Sequence, residues 1–296
     1  MLLSELDQEG LFRWDHAMMI SKTLGLGSFA ALAISMGSLQ AAESYVLKEP
    51  DPEVGLAVET LIVVKGGVTE SSVGGATKTM RTDVVRRRAW QRTFHKDALG
   101  GKVSYRMVRD EVGSKLDGQE NLRPGPLAGK VAIGRKNGAG NWAFMLETGT
   151  AVGDQVDELK KMEEIENRRW LPNRMVEIGE TWEFVPQFIR GSLRKDIPDS
   201  VAVGLMELMS VEKKADGSRE ALIKVVVRAG GESVKGVGNV VGAEGALAGN
   251  LVVNLDKPGT MTLRLNGTVV TAAKVGSADS VAKLPVTMRF EAKPMP

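Results

Sequence analysis

The sequence contains no cysteine, which excludes disulfides, thiolate metal sites, a cysteine nucleophile and a lipid-modified N-terminal cysteine. Histidine is almost as scarce. His16 and His95 are the only two, leaving little imidazole for metal binding or proton transfer. Aromatic residues make up 5% of the chain, which argues against a flat aromatic platform for sugars. Neither sign of charge dominates. The 39 Lys and Arg face 37 Asp and Glu, a net +2 that excludes a globally basic nucleic-acid binder and an acidic disordered chain. What the chain has in plenty is glycine, 34 of 296 residues, so turns should be numerous. Its length is enough to bury a full core in one large domain or two modest ones.

The first segment reads as an address. After Lys22, a short uncharged stretch from Thr23 to Met36 leads to the small-residue exit Gly37-Ser38-Leu39-Gln40-Ala41-Ala42. A base, an apolar run and a small-residue exit are the three parts of a secretory signal. The run is too short and too diluted by Gly and Ser for a spanning helix, which needs ~20 residues. Cleavage after Ala41 places Leu39 and Ala41 at the positions that signal peptidase reads; Ala42 is the neighbouring alternative. Residues 1–42 are therefore expected to be a signal peptide. Glu5, Asp7, Glu9 and Asp15 do not suit an export start, so translation is expected to begin at Met18 or Met19. Removal of 1–42 leaves a net charge of +4, one histidine (His95), and no later stretch long enough to span a membrane.

Alternation dominates the rest. Val201, Val203, Leu205, Met209 and Val211 share one parity, as do Ala221, Ile223, Val225, Val227 and Ala229. Ala215-Asp216-Gly217-Ser218 between them predicts a hairpin. A second hairpin is expected from Leu251–Leu255 and Thr260–Val270 around Asp256-Lys257-Pro258-Gly259, with a last strand carrying Val286, Met288 and Phe290 in step. Earlier strands are expected at Leu56–Val64, Met80–Phe94, Val103–Val108 and Trp142–Leu146. One helix is expected over Asp154–Arg169, capped by Asp154 and closed by Arg168 and Arg169. Its apolar stripe is Val156, Leu159, Met162 and Ile165. A shorter helical segment is expected within Val185–Lys195. The fold class is thus mainly β with minor α: an antiparallel curved sheet or sandwich with one main helix packed on it. Residues 43–296 form the mature region, either as one sheet system or as halves 43–170 and 171–296.

Leu171-Pro172 followed by Val176-Glu177-Ile178-Gly179-Glu180-Thr181-Trp182 resembles a segment of β-rich exported bacterial protein families of unknown function. In those families a Leu-Pro and a Val-x-x-Gly-Asp/Glu-Ser/Thr-Trp element follow a helix. The resemblance implies a β-rich exported domain with no assigned catalytic residues, so no site is carried over.

The most unusual local composition is Arg81–Arg109, nine bases against Asp83 and Asp97. On a strand Arg86, Arg88, Trp90, Arg92 and Phe94 share one face. Such a stripe is a candidate grip for an anionic envelope component, where each base near an anionic membrane is worth about 1 kcal/mol. The alternative is a solvated or edge face that uses arginine to discourage pairing with other sheets. Gly125–Lys130 is one residue short of a phosphate loop, and Gly236–Gly242 lacks the third dinucleotide glycine; both read as turns. His95 has no Gly-x-Ser-x-Gly elbow to serve. Glu163, Glu164 and Glu166 read as the solvated face of a helix. Trp142, Trp170 and Trp182 bracket that helix, either as a plug between helix and sheet or as the lining of an apolar groove.

These features point first to a non-enzymatic protein, periplasmic or secreted, that acts as a binding or envelope-interaction module. The second reading is a carrier of a lipid or other hydrophobic ligand, with an interior larger than its core side chains fill. The third is a hydrolase of unrecognised type. No cofactor, metal or nucleic-acid partner is expected.

Overall fold

The computed structural model describes residues 43–73, 76–96, 101–116, 119–167, 170–184, 202–232, 240–275 and 278–296. The expected leader with Ala41 and Ala42, the segment Val185–Lys195, and most of the Gly236–Gly242 turn lie outside the described residues. Residues 42–296 form one compact unit.

In chain order the strands are β1 (Ser44–Leu47), β2 (Ala57–Gly66), β3 (Val68–Val73), β4 (Ala76–His95), β5 (Lys102–Leu116), β6 (Gln119–Pro124), β7 (Val131–Lys136) and β8 (Trp142–Leu146). The helix α1 (Asp154–Glu166) follows. Then come β9 (Arg174–Glu177), β10 (Thr181–Phe184), β11 (Ala202–Lys213), β12 (Arg219–Glu232), β13 (Val240–Asn254), β14 (Met261–Val275) and β15 (Ala278–Pro294). The protein is mainly β, and the ladders between its paired strands are antiparallel. Thirteen strands form one sheet in the order β10-β11-β12-β13-β14-β15-β2-β4-β5-β7-β8, with β3 alongside β15 and β4 and β6 alongside β5; β1 and β9 pair separately. Because β15 pairs β2, the sheet runs unbroken from residues of the first half into those of the second. No helix among the described residues is long and apolar enough to cross a membrane.

Both expected hairpins form where turn chemistry requires them. Between β11 and β12, Gly217 alone takes the left-handed φ, at 83°, while Lys214 N–H donates to the Ser218 carbonyl. Ala221, Ile223, Val225 and Val227 face inward as expected. The parity expected for β11 is reversed over most of its length: Met206 and Leu208 are buried, and Val203, Leu205 and Met209 are exposed. The cause is a bulge. Leu208 pairs Ile223 and Ser210 pairs Leu222, leaving Met209 unmatched, and the extra residue flips every side chain beyond it to the other face.

A second bulge matters more. On β5 the register steps from Arg109 opposite Ala89 to Met107 opposite Trp90, so Val108 is the extra residue. Val103, Tyr105 and Met107 face inward before it, and Asp110 faces inward after it. The bulge thus brings an acid to the inner face opposite Arg88.

The helix begins at Asp154 as expected, but its cap is Gly153, with no side-chain capping hydrogen bond, and it ends at Glu166, before Arg168 and Arg169. Leu159 and Met162 are buried and Ile165 partly so, whereas Val156 is exposed. Near its C-terminal end α1 satisfies the free side of β8. Trp142 N–H donates to Asn167 Oδ1, Asn167 Nδ2 donates to the Trp142 carbonyl, and Phe144 N–H donates to Glu163 Oε1. These side chains do for β8 what a neighbouring strand would do, so its edge is not left open.

Candidate functional site

The arginine stripe of β4 shares one face, as its spacing requires, but that face is not solvated. β4 lies between β2 and β5, and Arg88 and Trp90 are buried. Arg88 Nε donates to Asp110 Oδ1 at 3.1 Å, and its Nη2 lies 2.7 Å from Glu158 Oε2 on α1. Arg86 reaches the same Glu158 oxygen at 3.2 Å, and Lys161 reaches Glu158 Oε1 at 2.8 Å. Asp110 also accepts from Leu127 N–H, tying the turn after β6 into the cluster. Neither the anion grip nor the solvated face expected for Arg86 and Arg88 describes this arrangement. Both are committed to acids supplied by the helix and by the bulged strand.

Burial opposes ionisation of Glu158, yet Arg88 and Arg86, with Lys161, hold its carboxyl down to about 2. Burial also works against Arg88, but Glu158 and Asp110 outweigh it and raise the guanidinium above its ordinary value. Arg86 moves the other way, pushed down by burial and by Arg88. It stays charged, because an arginine starts so far above neutral pH.

Further along the stripe Arg92 makes a second pair. Its Nη1 donates to Glu166 Oε1 at 2.8 Å, and the Tyr105 hydroxyl donates to the same oxygen. Glu166 was expected on a solvated face; its side chain is 8% exposed. The helical repeat sends Glu158 and Glu166 toward the sheet along with Leu159 and Met162, so the acids accompany the apolar stripe instead of opposing it. The Tyr105 hydroxyl is pushed well up by burial and by Glu166. The Arg92 guanidinium stacks 4.6 Å above the Phe94 ring, and its buried Nε has no hydrogen-bond partner among the described residues.

Arg92, Glu166 and Tyr105 border a cavity of about 420 Å³. At ~30 Å³ per water this is room for about fourteen waters, or a ligand with a similar number of non-hydrogen atoms. Trp90, Phe94, Tyr105, Trp142, Trp170 and Phe290 line it, six of the ten aromatic residues described in a chain poor in aromatics. Trp90, Phe94 and Tyr105 are buried at its floor; Trp142, Trp170 and Phe290 are partly exposed. Trp170 and Phe290 lie 6.1 Å apart, tilted at 41°. Of the three tryptophans expected around the helix, Trp142 and Trp170 line this cavity, while Trp182 is buried in the core away from it. Of the arginine stripe, Trp90 and Arg92 border the cavity; Arg86 and Arg88 do not.

Lys48 to Pro52 border the cavity on one side. Leu47 is fully buried, and Glu49 accepts hydrogen bonds from the backbone N–H groups of Trp170 and Leu171. Burial pushes the Glu49 carboxyl above the usual carboxylate range, against those two donors and Arg92, and Glu166 adds to the rise. Nothing in the sequence pattern marked Glu49, which lies in a Pro-containing stretch without periodicity.

His95 does meet a hydroxyl, sharing a 2.8 Å hydrogen bond with Ser104. Alternation places both on the face opposite Phe94 and Tyr105, in an exposed position. A hydrolytic pair needs a third group to orient the imidazole and donors for an oxyanion. Among the described residues no such group is bonded to His95.

Comparison with known protein families and with curated proteins returns no match.

Proposed function

We propose that the protein is an exported, non-enzymatic binding protein that takes a small hydrophobic or amphiphilic ligand into the cavity beside α1. The observation that carries this reading is the concentration of scarce aromatics around a pocket of about 420 Å³ that is partly open to solvent. Binding sites for small molecules are commonly concave spaces with aromatic walls and placed polar groups, and here the aromatic walls meet a polar and charged rim that includes Lys48, Asp51, Lys136 and Lys257. Neutralisation of Arg86 and Arg88 by Glu158 and Asp110 favours the cavity over a basic stripe as the binding element. Export rests on the leader pattern, and a periplasmic or secreted location follows from it. Bacterial origin rests on the resemblance of the Leu171–Trp182 segment.

Titration with the apolar dye N-phenylnaphthylamine tests the reading. The expected result is saturable quenching of tryptophan emission, weakened several-fold in Trp170→Ala and Phe290→Ala. Native mass spectrometry of the purified protein is expected to show a small bound species. A dye response that neither substitution changes counts against the cavity as the site.

A further inference from the structure

We infer that the ligand is an amphiphile with an acidic head: a carboxylate held at the mouth of the cavity by Lys136, with its apolar part among the rings below. This rests on the cavity being the binding site. Alternation carries Lys136 to the inner side of β7. Ala132 packs in the core, and Gly134 lies so close to Phe144 and Val103 that a Cβ there would meet both. Lys136 follows them in step at the exposed end of the strand. Its register partner is Trp142, whose ring centre lies 5.4 Å from the Lys136 Nζ, and both residues line the cavity.

The pairing of the lining charges decides the sign. Lys48, Arg92, Lys136 and Lys257 stand against Glu49, Asp51 and Glu166. Three of these bases already have a carboxylate: Lys48 pairs Asp51, Arg92 pairs Glu166, and Lys257 pairs Asp216 outside the lining. Lys136 differs, since among the described residues no carboxylate lies within ion-pair distance of it. The remaining acid, Glu49, is already met by donors, the backbone N–H groups of Trp170 and Leu171. The deeper part of the cavity agrees. Arg92 Nε, buried there without a hydrogen-bond partner among the described residues, is a donor. An ammonium would add a further donor where acceptors are short, whereas a carboxylate brings only acceptors.

Isothermal titration calorimetry on the full chain at pH 8 tests the inference with three probes of one chain length: octanoate, its neutral isostere octanamide, and octylammonium. The expected order is octanoate tightest, about threefold to fivefold over octanamide as one ion pair at an exposed rim allows, with octylammonium weakest. Lys136→Met keeps most of the apolar stem and removes the charge. Its expected effect is to bring octanoate to the affinity of octanamide. Equal binding of octanoate and octanamide, octylammonium as the tightest probe, or a Lys136→Met variant that keeps the preference overturns the acidic-head assignment and leaves the binding cavity standing. Failure of all three probes and of N-phenylnaphthylamine overturns the cavity reading itself.

Discussion

The guanidinium of Arg88 stands 2.7 Å from the carboxylate of Glu158, with both side chains withdrawn from solvent. This contact joins the middle of β4 to the first half of α1 across 70 residues of chain. It fixes the helix on the inner face of the sheet and so positions Glu166, two turns further on, at the cavity. Because Arg86, Asp110 and Lys161 share the cluster, the removal of one member leaves others buried without a counter-charge.

Glu158→Gln is therefore expected to destabilise the protein by about 3–5 kcal/mol, as breaking a buried pair does. Joint replacement by Arg88→Met and Glu158→Leu is expected to be far milder than the sum of the single changes. Urea denaturation of the four proteins in a double-mutant cycle measures the difference.

The same carboxylate predicts an acid limit. Glu158 titrates at about 2 in the folded protein against an ordinary 4.5, so the unfolded chain binds its proton first. Its contribution is complete above about pH 4.5 and disappears as pH falls toward 2. Thermal midpoints between pH 7 and pH 2 are expected to fall less steeply for Glu158→Gln than for the natural protein.

Glu49 predicts the opposite sign. Its folded value is raised, so the folded state binds a proton more readily than the unfolded chain. The penalty for its charge is absent below the ordinary carboxylate value and grows as pH rises through the raised one. Glu49→Gln is expected to be at least as stable as the natural protein at pH 8, and to lose that advantage near pH 4. Differential scanning calorimetry at the two pH values reads it directly.

The bulge at Met209 predicts which residues of β11 tolerate charge. Leu205→Lys is expected to leave stability within about 0.5 kcal/mol, because the side chain is already exposed. Met206→Lys, one residue on and 1% exposed, is expected to destabilise by several kcal/mol or to prevent folding. Comparable losses from both substitutions would contradict the reversed parity.

His95→Ala is expected to change neither probe binding nor the thermal midpoint. A loss of a measurable hydrolytic activity on this substitution would revive the hydrolase reading through Ser104.

Much of the architecture was legible because local rules and tertiary needs agree. The hairpin at Asp216-Gly217, the turn before Met261, the inward sets of β12 and β15, and the start of α1 each follow from turn chemistry or period. β3, Val-Thr-Glu-Ser-Ser-Val, and β6, Gln-Glu-Asn-Leu-Arg-Pro, carry no such signal. They are strands because the long β4, β5 and β15 extend past them and offer ladders to complete. The candidate site was legible only in pieces. Trp90 and Arg92 were flagged by composition, and Trp142 and Trp170 by their closeness to the helix. Glu166 stands out in the sequence only as part of a charged helix face, because its burial depends on residues of β4 and β5 distant in sequence, and Glu49 carries no pattern because its partners are backbone N–H groups more than a hundred residues away.

By itself the sequence determined that this chain builds antiparallel strands around turns, starts a helix at Asp154, and lacks thiol chemistry, since these depend on residue type and on the period between neighbours. Only the tertiary structure decided which way β11 and the end of β5 face, because a single unmatched residue in a ladder reverses everything beyond it. Only the tertiary structure decided that the arginines of β4 are paired, because their acids arrive from a helix and a bulged strand far along the chain. Charge on a strand is a property of composition; whether that charge meets water or a carboxylate is a property of packing.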